Sequence, residues 1–236
     1  MVMISHKHRF IFIKTKKTAG SSVEEYFEGI LMGVPEGGFS EVTLERVTED
    51  SYVSSRTIYQ GEAKGFLPSH ASSGQILSAL GPERFESYIK VSCVRNPWDQ
   101  IVSFFWWKMS LYPYAHRIII RLPMALIRKI FAYWFIKSRK KIDALSFTAQ
   151  LEIDGVLPKM NIIRYETMSE DIKKICEDLG IANLSLEIPN RKTTQRKQST
   201  PYQAYYSRHL RDSVAKSREL DLVNFGYSWS EAPVPR

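Results

Sequence analysis

The sequence predicts an α/β fold with a central, mostly parallel sheet flanked by helices, and three observations carry that expectation. Short apolar runs rich in β-branched and aromatic residues recur at 9–13, 89–94 and 159–164, each followed by a turn and then by a stretch with helical spacing. The length of 236 residues suits one ordinary domain. A content of 44% hydrophobic and 12% aromatic residues, with only 12 Gly and 11 Pro, is enough to bury a sizeable core and excludes a disordered or fibrous chain. A single domain over 1–236 is expected, with 108–150 as a cationic apolar helical insertion.

The first unit is RFIFI, the loop KTKKTAGSS and the amphipathic stretch SSVEEYFEGIL, which read as strand, loop and helix. Ser21 or Ser22 is the expected cap of that helix, with Glu24 and Glu25 in its first turn, where acids favour the helix dipole. Residues 33–65 are polar and lack a strong period, although TIYQG has the composition of a short strand. SGQILSAL, 73–80, has helical spacing and stops at Gly81-Pro82, after which PERFESY starts a further helix. The second unit is a strand from Ile89 to Val94, a turn at Asn96-Pro97 and a helix starting near Trp98 or Asp99. KMNIIR, 159–164, gives another strand, and SEDIKKICEDLG a helix capped by Ser169 and ended by Gly180. Strands so far apart in sequence and separated by helices are expected to run parallel.

The formal net charge is +8 and the pI near 9.4, so the surface should attract anions: nucleic acid, phosphate or sulfate groups, or acidic lipid. The charge alone does not choose among them. Cys93 and Cys176 form no CxxC and no metal or disulfide framework, which points to a reducing compartment. Phe10 to Ile13 is too short for the apolar core of an export signal, and the longest charge-free apolar run, Ile130 to Ile136, is far below the roughly 20 residues of a spanning helix. A cytoplasmic protein, with peripheral membrane contact left open, is the expectation.

Two loops carry the chemistry. Between the first strand and helix stand Lys14, Lys16, Lys17, Thr18, Gly20, Ser21 and Ser22. Backbone N–H groups at a helix start, a glycine that permits close approach, hydroxyl donors and a lysine are the ingredients of an anion cradle. A solvated basic turn is the plain alternative. A Walker A loop is excluded, because GxxxxGK[ST] is absent and the lysine here precedes the glycine. The second loop, VRNPWDQIVSFFW, sets Arg95 and Ser103 eight residues apart, so that a forked guanidinium and a hydroxyl can converge on one dianion. Its plain alternative is a helix cap at Asn96-Pro97 with Arg95 paired to Asp99.

These strings resemble known motifs. FIFIKTKKTAGSSVEEYF resembles the 5′-phosphosulfate loop of PAPS-dependent sulfotransferases of the bacterial and carbohydrate type, in its K-T-A-G-[ST]-S form; Lys17, Thr18, Ala19, Gly20, Ser21 and Ser22 match it position by position. The family's loop often reads H-I-P-K-T-A-G, whereas here Lys14-Thr15-Lys16 precede Lys17. VRNPWDQIVSFFW resembles the family's 3′-phosphate element, NIIRYETMSEDIKKICEDLGI its late strand and helix, and LVNFGYSW its C-terminal signature. The likeness touches 6–30, 66–107 and 159–229.

The resemblance implies a P-loop-kinase-like sulfotransferase fold and in-line transfer of SO₃ from PAPS (3′-phosphoadenylyl sulfate) to an acceptor hydroxyl, releasing PAP, with no metal required. It places Lys17 by the leaving oxygens, Thr18 to Ser22 on the 5′-phosphate, and Arg95 and Ser103 on the 3′-phosphate. Among five histidines, His70 in GFLPSHASSGQI corresponds to the base of related carbohydrate sulfotransferases. The alternative base is a carboxylate such as Glu41, Glu45 or Asp50. The basic stretch 188–211 resembles the late loop over the nucleotide, with Lys192 and Lys197 near the 3′-phosphate. The partners implied are a nucleotide donor and a glycan or other hydroxyl acceptor, not nucleic acid. A nucleotide kinase and a non-catalytic module for polyanions or acidic membranes are the rival classes.

From Lys108 to Ile142 stand nine Lys or Arg and no Asp or Glu, interleaved with aromatic and aliphatic residues. An amphipathic helix pair interrupted at Pro123 is expected there. It can serve as a lid over an anionic acceptor, as a membrane patch, or as packed helices with snorkelling basic side chains.

Overall fold

The computed structural model describes residues 2–32, 46–54, 67–181 and 200–229. The chain is α/β, with an open mixed sheet and helices. In chain order come β1 (Val2–Ser5), β2 (Phe10–Ile13), α1 (Gly20–Met32), β3 (Arg46–Val47), β4 (Ser51–Val53), α2 (Ser73–Leu80), α3 (Pro82–Ser87) and β5 (Ile89–Val94). There follow α4 (Pro97–Ser110), α5 (Pro113–Ile119), α6 (Met124–Lys137), α7 (Arg139–Asp143), α8 (Phe147–Leu151), β6 (Asn161–Arg164), α9 (Met168–Asp178), α10 (Arg208–Ser217) and α11 (Glu219–Phe225). The contacts divide the chain into two compact units, the first Met1–Val94 with Ala149–Arg191 and the second Arg95–Thr148 with Lys192–Arg236.

The first unit holds the sheet, ordered β3-β4-β1-β2-β5-β6. Its β2-β5-β6 part is parallel as expected, with Phe12 opposite Val91 and Cys93 opposite Ile163. The β3-β4-β1-β2 part is antiparallel, which corrects the mostly parallel expectation. The reason lies in the connection: β1 and β2 are joined by His6 to Arg9 alone, and so short a link permits only an antiparallel pair. His6 and His8 therefore sit in the turn between two strands. Strands β1 and β2 are buried at every residue, which is why FIFI reads as a continuous apolar run without alternation. Helix α1 packs Val23, Phe27 and Leu31, four residues apart, into the core with Phe10 and Phe12; the Phe10 and Phe27 rings stand 4.9 Å apart.

Local signals set several ends. Ser72 caps α2 through a reciprocal pair with Gln75, and Gly81 at φ +80° turns the chain into Pro82 of α3. Gly180, at φ +68°, follows α9 as expected. Ser169 does not cap that helix. It lies inside α9, and Asp171 instead accepts from the Arg164 amide at 2.8 Å and the Thr167 hydroxyl at 2.9 Å. Likewise α1 begins at Gly20, so Ser21 and Ser22 lie within it and Glu24 and Glu25 fall beyond its first turn. The proposed strand at TIYQG lies outside the described residues.

The second unit is helical, with an aromatic core. Phe105 of α4, Phe131 and Phe135 of α6, and Tyr205 and Tyr206 pack together, and Trp106 Nε1 donates to the Tyr205 hydroxyl at 2.9 Å. The helix pair expected around Pro123 is present as α5 and α6, with Pro123 at the start of α6. A fully buried ion pair, Arg218 with Asp221, joins Gln100, Leu145, Ser146 and Thr148 by further hydrogen bonds.

Candidate active site

In the first unit the β2–α1 loop is shaped by an unusual backbone. Lys17 (φ +63°) and Ala19 (φ +61°) are both left-handed without being glycine, whereas Thr18 between them is not. Each such residue costs about 1–2 kcal/mol, and alternation of this kind is the geometry that gathers successive N–H groups into an anion-binding concavity. The loop is held from beneath by the buried Thr15, whose hydroxyl donates to the Cys93 carbonyl at the end of β5 and lies 2.8 Å from the Thr18 hydroxyl. Thr18 is buried and its hydroxyl is engaged there, so toward an anion it would act through its backbone.

Lys14 is fixed in place by its side chain. Its Nζ meets the fully buried Glu24 carboxylate at 2.6 Å and the Ser21 hydroxyl oxygen at 3.0 Å. Because Ser21 accepts from Lys14, its own proton is left to donate. Gly20 is required for this arrangement, since a Cβ there would fall 2.8 Å from Lys14 Cγ. Lys17 is half-buried and Lys16 exposed.

His70 joins the same loop. Its Nδ1 lies 2.9 Å from the Lys14 carbonyl. A carbonyl can only accept, so Nδ1 carries the proton and Nε2 keeps its lone pair, the state a general base needs. Burial, together with nearby positive charges including Lys14 and Lys16, lowers the His70 pKa to about 3, against the opposing effect of the Lys14 hydrogen bond. Gln150 Nε2 donates to the same Lys14 carbonyl at 3.0 Å and to the Ala71 carbonyl at 3.2 Å, tying both sides of His70 together.

In the second unit, Arg95 is buried and donates through Nε to Asp99 Oδ2 at 2.8 Å, with a terminal nitrogen at 2.6 Å from the same oxygen. Asn96 caps α4 by accepting from the Trp98 amide at 3.1 Å, and Pro97 takes the first helical position. Both parts of the plain alternative are thus present. Ser103 is half-buried on the second turn of α4, one turn beyond Asp99, so a carboxylate stands between the two expected phosphate ligands. The C-terminal signature buttresses this turn: Asn96 Nδ2 donates to the Ser228 carbonyl at 3.2 Å, and the Trp229 ring stands edge-on to Trp98 at 5.3 Å.

Lys17, Thr18, Ala19, Gly20, Ser21, Ser22 and His70 therefore gather in the first unit, and Arg95 and Ser103 share one turn and helix of the second. Lys192, Lys197, Glu41 and Glu45 lie outside the described residues, and Asp50 is exposed beside β4. Sequence reasoning had Asp99 as the partner of Arg95, but missed Gln150 and the pairing of Glu24 with Lys14. Glu24 had a visible signal, an acid on the same stripe of α1 as Phe27 and Leu31; Gln150 had none, because it meets the loop 136 residues away in sequence. No family model matches the chain, and no curated protein or solved structure matches it significantly.

Proposed function

We propose that the chain is a PAPS-dependent sulfotransferase. The observation that carries this reading is the left-handed backbone at Lys17 and Ala19 immediately before α1, in a loop whose sequence resembles the family's phosphosulfate cradle. Strain at two non-glycine positions persists only where the surroundings enforce it, and an anion cradle gives it a use. His70 beside the loop, with Nδ1 on the Lys14 carbonyl and Nε2 left to accept, supports the same reading.

In this mechanism the loop amides from Thr18 to Ser22 and the Ser21 hydroxyl hold the 5′-phosphate of PAPS, with Lys17 facing the leaving oxygens. Arg95 and Ser103 hold the 3′-phosphate, where Asp99 moderates the charge of Arg95. His70 Nε2 takes the proton of the acceptor hydroxyl as its oxygen attacks sulfur. The bond from sulfur to the 5′-phosphate oxygen breaks, PAP leaves with that electron pair, and the acceptor leaves as a sulfate ester.

Thermal shift with PAP, AMP and ATP tests the reading. PAP should stabilise the protein clearly more than AMP, since AMP lacks the 3′-phosphate, and more than ATP. Equal shifts for PAP and AMP would overturn it, and a larger shift with ATP would favour the kinase class.

A further inference from the structure

Helix α6 of the second unit is apolar on both sides. Its inner side is closed by Ile127, Phe131 and Phe135, four residues apart and buried in the aromatic core. The opposite side carries Leu126, Lys129, Tyr133, Ile136 and Lys137, whose spacing puts them on one exposed stripe. Tyr133 is 67% and Ile136 68% exposed, and Lys137 Nζ lies 5.9 Å from the centre of the Tyr133 ring. A similar mixture recurs around α5, where Tyr114 is 83% and Ile118 63% exposed beside the exposed Arg117 and Arg121. Single exposed apolar residues are ordinary. A stripe of them alternating with lysines, in a segment with nine Lys or Arg and no Asp or Glu, is not.

We propose that the outer face of α6 docks on an anionic lipid bilayer, lying in the plane of the headgroups with Leu126, Tyr133 and Ile136 entering the acyl boundary and Lys129 and Lys137 meeting lipid phosphates. The combination of aliphatic and aromatic anchors with a one-signed cationic flank is what such an interface recognises. At about 1.5 Å per residue, the 14 residues of α6 span roughly 21 Å, a length suited to lying on a membrane. No helix among the described residues is long and apolar enough to cross one. A second copy of the chain fits this face poorly, because a two-fold contact would set the same cations against each other. A nucleic acid would engage the lysines and Tyr133 but leave Leu126 and Ile136 without a partner. The inference is independent of the sulfotransferase reading.

The test is co-sedimentation with vesicles of phosphatidylcholine alone and of phosphatidylcholine with about 30% phosphatidylglycerol, at about 0.15 M salt. The protein should bind the anionic vesicles and not the neutral ones. Each Lys or Arg at an anionic surface contributes about fivefold in affinity, so Lys129→Glu with Lys137→Glu should weaken binding at least tenfold. Tyr133→Ser with Ile136→Ser should weaken it comparably while leaving the thermal midpoint unchanged, since both side chains face outward. Failure to bind anionic vesicles, or binding indifferent to both pairs of substitutions, overturns the proposal. So does a self-association that Tyr133→Ser with Ile136→Ser abolishes, which would assign the face to a second copy. Tight binding of single-stranded DNA that outcompetes the vesicles and survives the loss of Ile136 would assign it to nucleic acid.

Discussion

His70 Nδ1 donates to the main-chain carbonyl of Lys14 at 2.9 Å, and Gln150 Nε2 donates to the same oxygen at 3.0 Å. One peptide group thus joins the candidate base to the loop that carries the candidate anion cradle. The same residue holds Glu24 and Ser21 through its side chain, so Lys14 fixes the imidazole with its backbone and the start of α1 with its ammonium.

This arrangement sets a pH dependence. With its pKa lowered to about 3, chiefly by burial, His70 is neutral throughout the ordinary range. The acidic limb of kcat/KM for sulfuryl transfer, which reports the free enzyme, should therefore lack a break near 6.5 assignable to His70. The stability consequence has a definite sign. The unfolded chain binds a proton at His70 below about 6.5 while the folded chain does not until about 3, so stability falls as pH drops through that window. His70→Gln should flatten that part of the stability profile measured by urea titration. It should also lower turnover by about a hundredfold with PAP affinity nearly unchanged. Unimpaired turnover would move the base elsewhere.

Ala19 and Gly20 should respond in opposite directions to exchange. Ala19→Gly relieves a left-handed alanine and should raise stability by about 0.5–1 kcal/mol. Gly20→Ala drives a Cβ into Lys14 Cγ, pushes that side chain off Glu24 and should cost about 1–3 kcal/mol together with PAP binding. Urea denaturation of both variants checks the pair, and a neutral Gly20→Ala would refute the close approach.

The proposed 3′-phosphate contact turns on the Arg95–Asp99 ion pair. Arg95→Lys keeps the charge but loses the fork, and should remove most of the preference for PAP over AMP in thermal shift, a contact worth about 1.5–3 kcal/mol. Asp99→Asn should strengthen PAP binding if the proposed site is right, because a carboxylate on Arg95 would repel a bound 3′-phosphate. If Asp99→Asn weakens PAP instead, the carboxylate is needed to aim Arg95.

Asp221→Ala should be the most damaging of these changes to the fold. It strands the fully buried Arg218 guanidinium and removes the acceptor of the Ser146 hydroxyl and the Thr148 amide, at a cost of about 3–5 kcal/mol. Asp221→Asn keeps the acceptor and should cost less, which calorimetry of the two variants resolves.

By itself the sequence determined the strands at β2, β5 and β6, the helices α1, α2, α4 and α9 within a residue or two, and the position of the loop between β2 and α1. Those features are written locally, in apolar runs, Gly-Pro breaks and helix spacing. Only the tertiary structure decided that β1 pairs antiparallel with β2, because four residues at 2–5 give no periodic signal and owe their strand to the neighbour they bond. Only the fold could bring Gln150 to Lys14 or Arg218 to Gln100, since such pairs are made by chain crossings of 136 and 118 residues that no local pattern encodes. The same holds for charge. Sequence spacing allows Arg95 either an anion or Asp99, and burial beside α4 put the guanidinium on the carboxylate, where a desolvated charge needs a partner at once.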